Sequence, residues 1–418
     1  MQSVRKSDYF WLSLYRISSL LLYYFLLQYA LNFSDYWFRF SNQFYALSNL
    51  LFNLDFGLSL ALHVFLVRAQ EGELDVKTII KYFPVVYFVI VSISFLIILY
   101  TDVNNYFCDF LNVSNVSSYS IFLLFSSLFT NALGLSWFRS RNEIKILSLI
   151  SFFQDVAKIL ALFCLINGYI NLNIFLTVAA IINLFLPAYV LTSVDIRMWL
   201  LFFNLELKIK EIRNFLYQIV QLAIPTFIYV LSSTLFLMLE RLNTQYLDTT
   251  SQNAYLVVLD LGQKVWFVAY ILGFVIMTDA IKGNALFDKK LVYLFFGFVA
   301  TYYVVIIIYL SEIFDFLFGL EFPPQLRLPS IILLISNFSY FVTQYMYLKL
   351  IGAEKVWNIG LSYIVAGLLA VVWMECNVKN YLNLAISEFI FFIGISLLLS
   401  LHVFRIRFKT FKNLFLLS

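Results

Sequence analysis

Long apolar stretches separated by short polar connections recur along the whole chain. A stretch of about 20 apolar residues is long enough to cross the hydrocarbon core of a bilayer as an α-helix. Twelve stretches meet this criterion: 9–31, 41–66, 82–101, 118–138, 145–167, 173–192, 217–239, 253–278, 291–311, 328–348, 356–375 and 381–404. The pattern therefore predicts an all-α integral membrane protein that crosses the bilayer about 12 times.

The composition excludes several other classes of protein. Of the 418 residues, 62% are hydrophobic and only 12% are charged, whereas soluble domains are about 45–50% apolar and about 25% charged. The net charge of +4 is too small to indicate nucleic-acid binding. The three cysteines and two histidines have no metal-site spacing, and no Walker A, GxGxxG, HExxH or GxSxG motif occurs. We therefore expect no metal or cofactor and no enzyme, and these motifs do not support an ATP-driven pump or a familiar hydrolase.

The distribution of positive charge predicts the orientation. Lys and Arg concentrate in the cytoplasmic connections of membrane proteins. If the N terminus is inside, 21 of the 28 Lys and Arg residues lie in inner connections and only four in outer ones. This bias predicts that both termini face the cytoplasm. The longest outer connection, about 102–117, is too short to fold as a separate domain.

Two short motifs indicate an internal duplication. Leu54-Asp55-Phe56-Gly57 recurs as Leu259-Asp260-Leu261-Gly262, and Glu143 with Ser151 matches Glu354 with Ser362 at a similar offset. Because six is an even number, two copies of a six-helix unit have the same orientation, as parallel repeats do. The predicted organisation is an N-terminal lobe, a cytoplasmic interfacial connection, a C-terminal lobe and a basic cytoplasmic tail, at 1–195, 196–216, 217–404 and 405–418.

Ionisable side chains inside the predicted helices are rare, and each costs about 2.5–3.5 kcal/mol near the bilayer centre. Three of them are cations that suit an anionic solute such as a phosphate or pyrophosphate: Arg16, Lys158 and Lys264. Three are aspartates that are candidates for proton coupling: Asp55, Asp155 and Asp260. His63 and Glu388 also lie in predicted helices, and we expect His63 to be packed or exposed to water.

A purely structural explanation exists for two of these aspartates. Asp155 precedes Lys158 by three residues, and Asp260 precedes Lys264 by four. Residues at these spacings share one helix face, so each pair can neutralise itself. Substrate binding and local pairing therefore both remain open.

Several segments resemble Wzx-type O-antigen flippases and related polysaccharide exporters. Residues 53–62 (NLDFGLSLAL) resemble the signature of the second helix of that family, 223–233 (AIPTFIYVLSS) the opening of the seventh, and 134–137 (GLSW) part of the fourth. The resemblance covers most of the chain, including the basic midpoint connection. The sequence departs from the family at 32–37 and at Glu240-Arg241, and both differences concern the outer gate rather than the fold.

The resemblance implies membership of the multidrug/oligosaccharidyl-lipid/polysaccharide exporter (MOP) superfamily, with two MATE-like lobes around a central cavity. It implies a multi-pass flippase of the bacterial inner membrane. Its cargo would be an undecaprenyl-pyrophosphate-linked oligosaccharide, such as an O-antigen unit of lipopolysaccharide, moved to the periplasmic leaflet by alternating access. H⁺ and Na⁺ are the candidate coupling ions. Expected partners are the lipid-linked oligosaccharide, membrane lipids, a polysaccharide polymerase and a chain-length regulator, but no nucleic acid.

Two alternative functions make different demands on the chain. A drug/cation antiporter of the same superfamily needs an acidic or aromatic cavity rather than intramembrane Lys and Arg. An O-antigen polymerase, a less favoured alternative, needs a large periplasmic loop, and no predicted outer connection is long enough. The net charge of the cavity therefore distinguishes the flippase from the antiporter.

Overall fold

The computed structural model describes residues 6–53, 58–70, 72, 76–100, 103–113, 116–141, 143–193, 209–264, 289–318, 321–352 and 356–415. Regular structure in these residues is entirely helical, as the sequence predicts. The chain packs as two compact units, Met1–Ile224 and Pro225–Ser418. The predicted lobe boundaries and the parallel relation of the lobes remain predictions.

The first unit contains these helices: α1 (Lys6–Phe33), α2 (Asp35–Asn53), α3 (Leu58–Gln70), α4 (Val76–Tyr100), α5 (Val103–Leu111), α6 (Ser118–Ser140), α7 (Ile144–Ile166), α8 (Leu172–Asn183), α9 (Phe185–Ser193) and the N-terminal part of α10 (Ile209–Asn243). The turn between α7 and α8 has clear sequence causes. Gly168 adopts φ +75°, which favours glycine, just after α7 ends. Asn171 caps α8 by accepting a hydrogen bond from the Ile174 amide at 2.9 Å.

The second unit contains the rest of α10 and these helices: α11 (Thr249–Lys264), α12 (Lys289–Ile308), α13 (Leu310–Phe318), α14 (Arg327–Gly352), α15 (Val356–Cys376) and α16 (Tyr381–Phe415). Here α16 packs against both α14 and α15. The core includes Phe236 and Phe391, whose rings stack at 4.3 Å.

Apolar length supports a multi-pass membrane protein. Among the described residues, seven helical segments are long and apolar enough to cross a bilayer. An eighth arises if α12 and α13 form one span, although they bend by 79° at their junction. Twelve crossings and the inward position of both termini remain predictions.

The sixth predicted span is a broken helix. Pro187 has no N–H, so the carbonyl of Asn183 loses its usual helical partner. The Gln154 Nε2 donates instead to the carbonyls of Ile182 and Asn183, at 2.9 and 3.1 Å. A Cβ on Gly134 would lie only 3.3 Å from Leu186 Cγ, so this glycine of the GLSW segment allows α6 to approach the break closely.

The seventh predicted span is longer than its apolar stretch. The 35 residues of α10 correspond to about 52 Å of helix, against about 30 Å of hydrocarbon. Its first turns include residues 209–216, which the sequence analysis placed in the interfacial connection. The Tyr82 hydroxyl donates to Glu211, and Phe215 contacts Phe65 at a ring distance of 5.4 Å. Residues 209–216 are thus helical, and Phe215 is buried, whereas 194–208 lie outside the described residues.

The two units share a distinctive order of helices. In each, a long helix leads to a nine-residue helix and then to another long helix, as α4, α5 and α6 and as α12, α13 and α14. Two buried residues of α5, Phe107 and Leu111, correspond to the buried Phe314 and Phe318 of α13, because both pairs have the same sequence separation. This correspondence supports the predicted duplication.

Candidate functional site

The structure describes the side chains of only some of the predicted site residues. Asp55 lies outside the described residues, and so do the side chains of Arg16 and Lys264, although their backbones belong to α1 and α11. Asp155 and Lys158 are half-buried on α7, and both side chains take part in interactions. These five roles remain predictions.

Asp260 is the one predicted site residue that the structure places among other buried charges. It is 5% exposed, and Arg241 at the end of α10 is 1% exposed. Arg241 Nη2 lies 3.4 Å from Asp260 Oδ1 and donates to Gln263 Oε1 at 3.3 Å. Because removing a charge from water is costly, a buried aspartate needs such a partner. Asp260 is therefore paired with a neighbouring helix.

Two further carboxylates are completely buried in the second unit. Glu240 accepts a hydrogen bond from the Tyr255 hydroxyl at 3.0 Å, and Glu388 accepts one from Asn337 Nδ2 at 3.0 Å. In both glutamates the hydrogen bond is accepted by Oε1. Oε2 of Glu240 and Oε2 of Glu388 are buried without a hydrogen-bond partner among the described residues.

These groups form one electrostatic cluster. Glu240 and Glu388 interact with each other, and both interact with Arg241. We call Glu240, Arg241, Asp260 and Glu388 the carboxylate cluster. Its described side chains comprise three carboxylates and one guanidinium, and an excess of buried negative charge is unfavourable unless a proton or another cation joins it. The arrangement is therefore suited to binding a cation.

The LDLG segment helps to build this cluster. Asp260 supplies a carboxylate, and the carbonyl of Gly262 accepts a hydrogen bond from the Tyr303 hydroxyl at 2.8 Å. A Cβ on Gly262 would lie 2.9 Å from Asn337 Nδ2, the atom that donates to Glu388. Glycine at this position allows Asn337 to reach Glu388.

Sequence reasoning missed most of the cluster. Glu240 and Arg241 follow the predicted seventh span because hydropathy falls at the charges, yet α10 continues to Asn243 and both side chains are buried. Glu388 was recognised as an intramembrane charge without a role. For Tyr255 and Asn337 the sequence offers no signal that separates them from ordinary packed residues.

Neutral polar groups form a second network, beside Asp155 in the first unit. Gln154 Nε2 also contacts Asn131 Oδ1 at 3.3 Å, and Asn183 Nδ2 donates to Ser127 Oγ at 3.2 Å. His63 is completely buried, which agrees with a packed residue. Within the part of the chain that is described, no three His, Cys, Asp or Glu side chains are grouped as metal ligands.

Comparison with known proteins identifies the fold. No protein-family profile and no curated protein sequence matches the chain. Solved structures match nearly all of it. The Vibrio cholerae MATE transporter VcmN in the bent form aligns with a TM-score of 0.64 and 14% identity, over 94% of this chain and 93% of that one. MATE in the straight conformation gives 0.62 and 13%, over 96% and 94%.

A third similar structure is a MOP superfamily transporter from Pyrococcus furiosus, which has a binding pocket of reverse polarity. It aligns with a TM-score of 0.62 and 13% identity, over 95% of this chain and 94% of that one. The chain therefore has the fold of MATE transporters, which confirms the expected MATE-like fold. Membership of the MOP superfamily remains a prediction. Resemblance to Wzx-type flippases remains a prediction.

Proposed function

We propose that the protein is a secondary transporter that works by alternating access and that the carboxylate cluster binds its coupling cation. The main supporting observation is that, among the described residues of a chain with a MATE fold, three buried carboxylates lie in one cluster with Arg241. Intramembrane ionisable groups commonly mark ion pathways because their burial is costly without a function.

The contacts suggest how each residue contributes. Arg241 holds Asp260, whereas the Oε2 atoms of Glu240 and Glu388 provide buried acceptors for H⁺ or Na⁺. A cation that binds one conformation more tightly shifts the protein toward that conformation. Loading of the cluster would thereby bias the alternating-access equilibrium.

For the cargo, we propose an undecaprenyl-pyrophosphate-linked oligosaccharide in the bacterial inner membrane. Support comes from the segments that resemble Wzx-type flippases and from Lys158, which is half-buried on α7. Arg16 and Lys264 are further cations in predicted spans. Such groups suit a pyrophosphate because they supply charge-assisted hydrogen bonds.

A drug/cation antiporter is the second candidate. It is favoured by the excess of carboxylates among the described buried charges. In that case the carboxylate cluster would contact the exported cation as well as the coupling ion. The two functions therefore differ in the role of the cluster and of Lys158.

Genetic complementation distinguishes the two candidates. The protein is expressed with its matching polysaccharide genes in a strain that lacks a flippase. We expect surface polysaccharide with the wild type, a reduced amount with Lys158→Ala, and normal amounts with Lys145→Ala, which changes an exposed lysine of the same helix. Resistance to cationic drugs without surface polysaccharide would instead favour the antiporter.

A further inference from the structure

Four hydrogen-bonded residues lie at the end of the second unit where α10 is followed by α11. Asp248 precedes α11, and its Oδ2 accepts a hydrogen bond from the Ser251 amide at 2.9 Å. Tyr381, the first residue of α16, donates to Asp248 Oδ1 at 3.0 Å. Gln325 Nε2 donates to Ser251 Oγ at 3.0 Å. We call these four residues the latch.

The latch spans the boundary between water and the protein interior. Asp248 and Gln325 are exposed, whereas Ser251 is buried. Hydrogen bonds from Ser251, aided by one from Tyr381, lower the pKa of Asp248. The contact therefore contains an ionised carboxylate at neutral pH. The predicted orientation places it at the periplasmic end.

Tyr255 connects the latch to the carboxylate cluster. It lies one turn after Ser251 on α11 and is completely buried. Its ring packs against the ring of Tyr381 at 5.6 Å, and its hydroxyl donates to Glu240 Oε1 at 3.0 Å. A continuous series of contacts therefore runs from exposed Asp248 through Tyr381 and Tyr255 to buried Glu240.

We propose that the latch is the gate through which a cation reaches the carboxylate cluster, and that Tyr255 couples this gate to Glu240. The inference rests on the proposed function, since it gives the coupling cation an entry route. A cation on Oε2 of Glu240 neutralises the carboxylate and so weakens the hydrogen bond that the Tyr255 hydroxyl donates to Oε1. Weakening of that hydrogen bond allows the Tyr255 ring to leave its position against Tyr381, which loosens the latch.

Thiol labelling of the full-length protein in proteoliposomes tests the gate. The reporter is Thr244→Cys, a completely buried position whose hydroxyl contacts Arg241 and Gln252, after replacement of the three native cysteines by serine. The probe is a membrane-impermeant trimethylammonium methanethiosulfonate. Gln252→Cys, also buried, serves as the reporter if Thr244→Cys does not insert.

Tyr381→Phe keeps the ring and removes the hydrogen bonds to Asp248. Loss of one or two hydrogen bonds of ordinary net strength should accelerate labelling about fivefold to thirtyfold. Tyr246→Phe is the matched control, because its exposed ring contacts Lys379 and its hydroxyl makes no hydrogen bond among the described residues. Labelling of Tyr381→Phe at the parental rate would overturn the gate.

Tyr255→Phe tests the coupling. Added Na⁺, or acidic buffer once each rate is divided by that of free cysteine at the same pH, should accelerate labelling of the parent but leave that of Tyr255→Phe unchanged. An equal response in both proteins, or no response in the parent, would overturn the coupling role. A separate result would contradict the proposed function but not the gate. In that case the Glu240→Gln and Glu388→Gln proteins would transport like the wild type, while Tyr381→Phe would still accelerate labelling.

Discussion

Replacement of Arg241 should be among the most damaging single changes in the second unit. Arg241→Leu removes the guanidinium that lies 3.4 Å from Asp260 and interacts with Glu240 and Glu388. Breaking a buried ion pair by removal of one partner typically costs about 3–5 kcal/mol, because the remaining charge is left uncompensated. Thermal unfolding of the detergent-solubilised protein, followed by size-exclusion chromatography, measures the loss.

The chain provides its own control for this reasoning. Lys379 forms an ion pair with Glu375 at 3.5 Å, but the two side chains are 33% and 52% exposed. Exposed pairs contribute about 0–1 kcal/mol, so Lys379→Leu should change the unfolding temperature little. The double variant Arg241→Leu with Asp260→Leu should recover part of the lost stability, since one unpaired charge is then gone. Equal effects of Arg241→Leu and Lys379→Leu would refute the reasoning.

Three further predictions concern Gly262, Gln154 and Asp248, which caps α11. Gly262→Ala must displace Asn337 and should cost about 1–3 kcal/mol by overpacking, whereas Gly297→Ala, with open space around its Cβ, should be harmless in the same unfolding assay. Gln154→Leu leaves the carbonyls of the α8–α9 break unsatisfied and should cost about 1–3 kcal/mol, while Phe153→Leu at the exposed neighbour should not; equal stability of the two proteins would contradict this. Asp248→Ala removes the cap of α11 and should cost about 1 kcal/mol at neutral pH. Because the folded pKa of Asp248 is lowered, this contribution is complete above its unfolded pKa and disappears as pH falls through the folded value. The stability difference from wild type should therefore vanish in acid, and a constant difference would contradict the assignment.

Hydropathy predicted the helical membrane fold well, because apolar length is a local property of the chain. It could not predict the bend between α12 and α13 or the break before Phe185, because both fall inside predicted spans, 291–311 and 173–192, whose apolar length does not indicate a bend. The hydrogen bonds from Gln154 that compensate for the break near Pro187 depend on packing between separate helices.

The candidate site was predicted only in part for the same reason. Asp260 was identified through its recurring motif, yet its described partner, Arg241, is 19 residues away on another helix. Because a hydropathy scan ends a predicted span at charged residues, it places Glu240 and Arg241 just outside the seventh span. Their burial arises from contacts with Tyr255 and Asp260, which no local pattern encodes.

Gradient-driven transport by the double variant Glu240→Gln with Glu388→Gln tests the central claim most directly. Wild type, double variant and the exposed control Glu312→Gln are reconstituted in proteoliposomes with lipid-linked oligosaccharide, and translocation is measured with and without an H⁺ or Na⁺ gradient. We predict that a gradient accelerates the wild type and the control, whereas the double variant still binds the cargo but no longer responds to either gradient. A double variant that follows the gradient as the wild type does would contradict the role of the carboxylate cluster as the cation site.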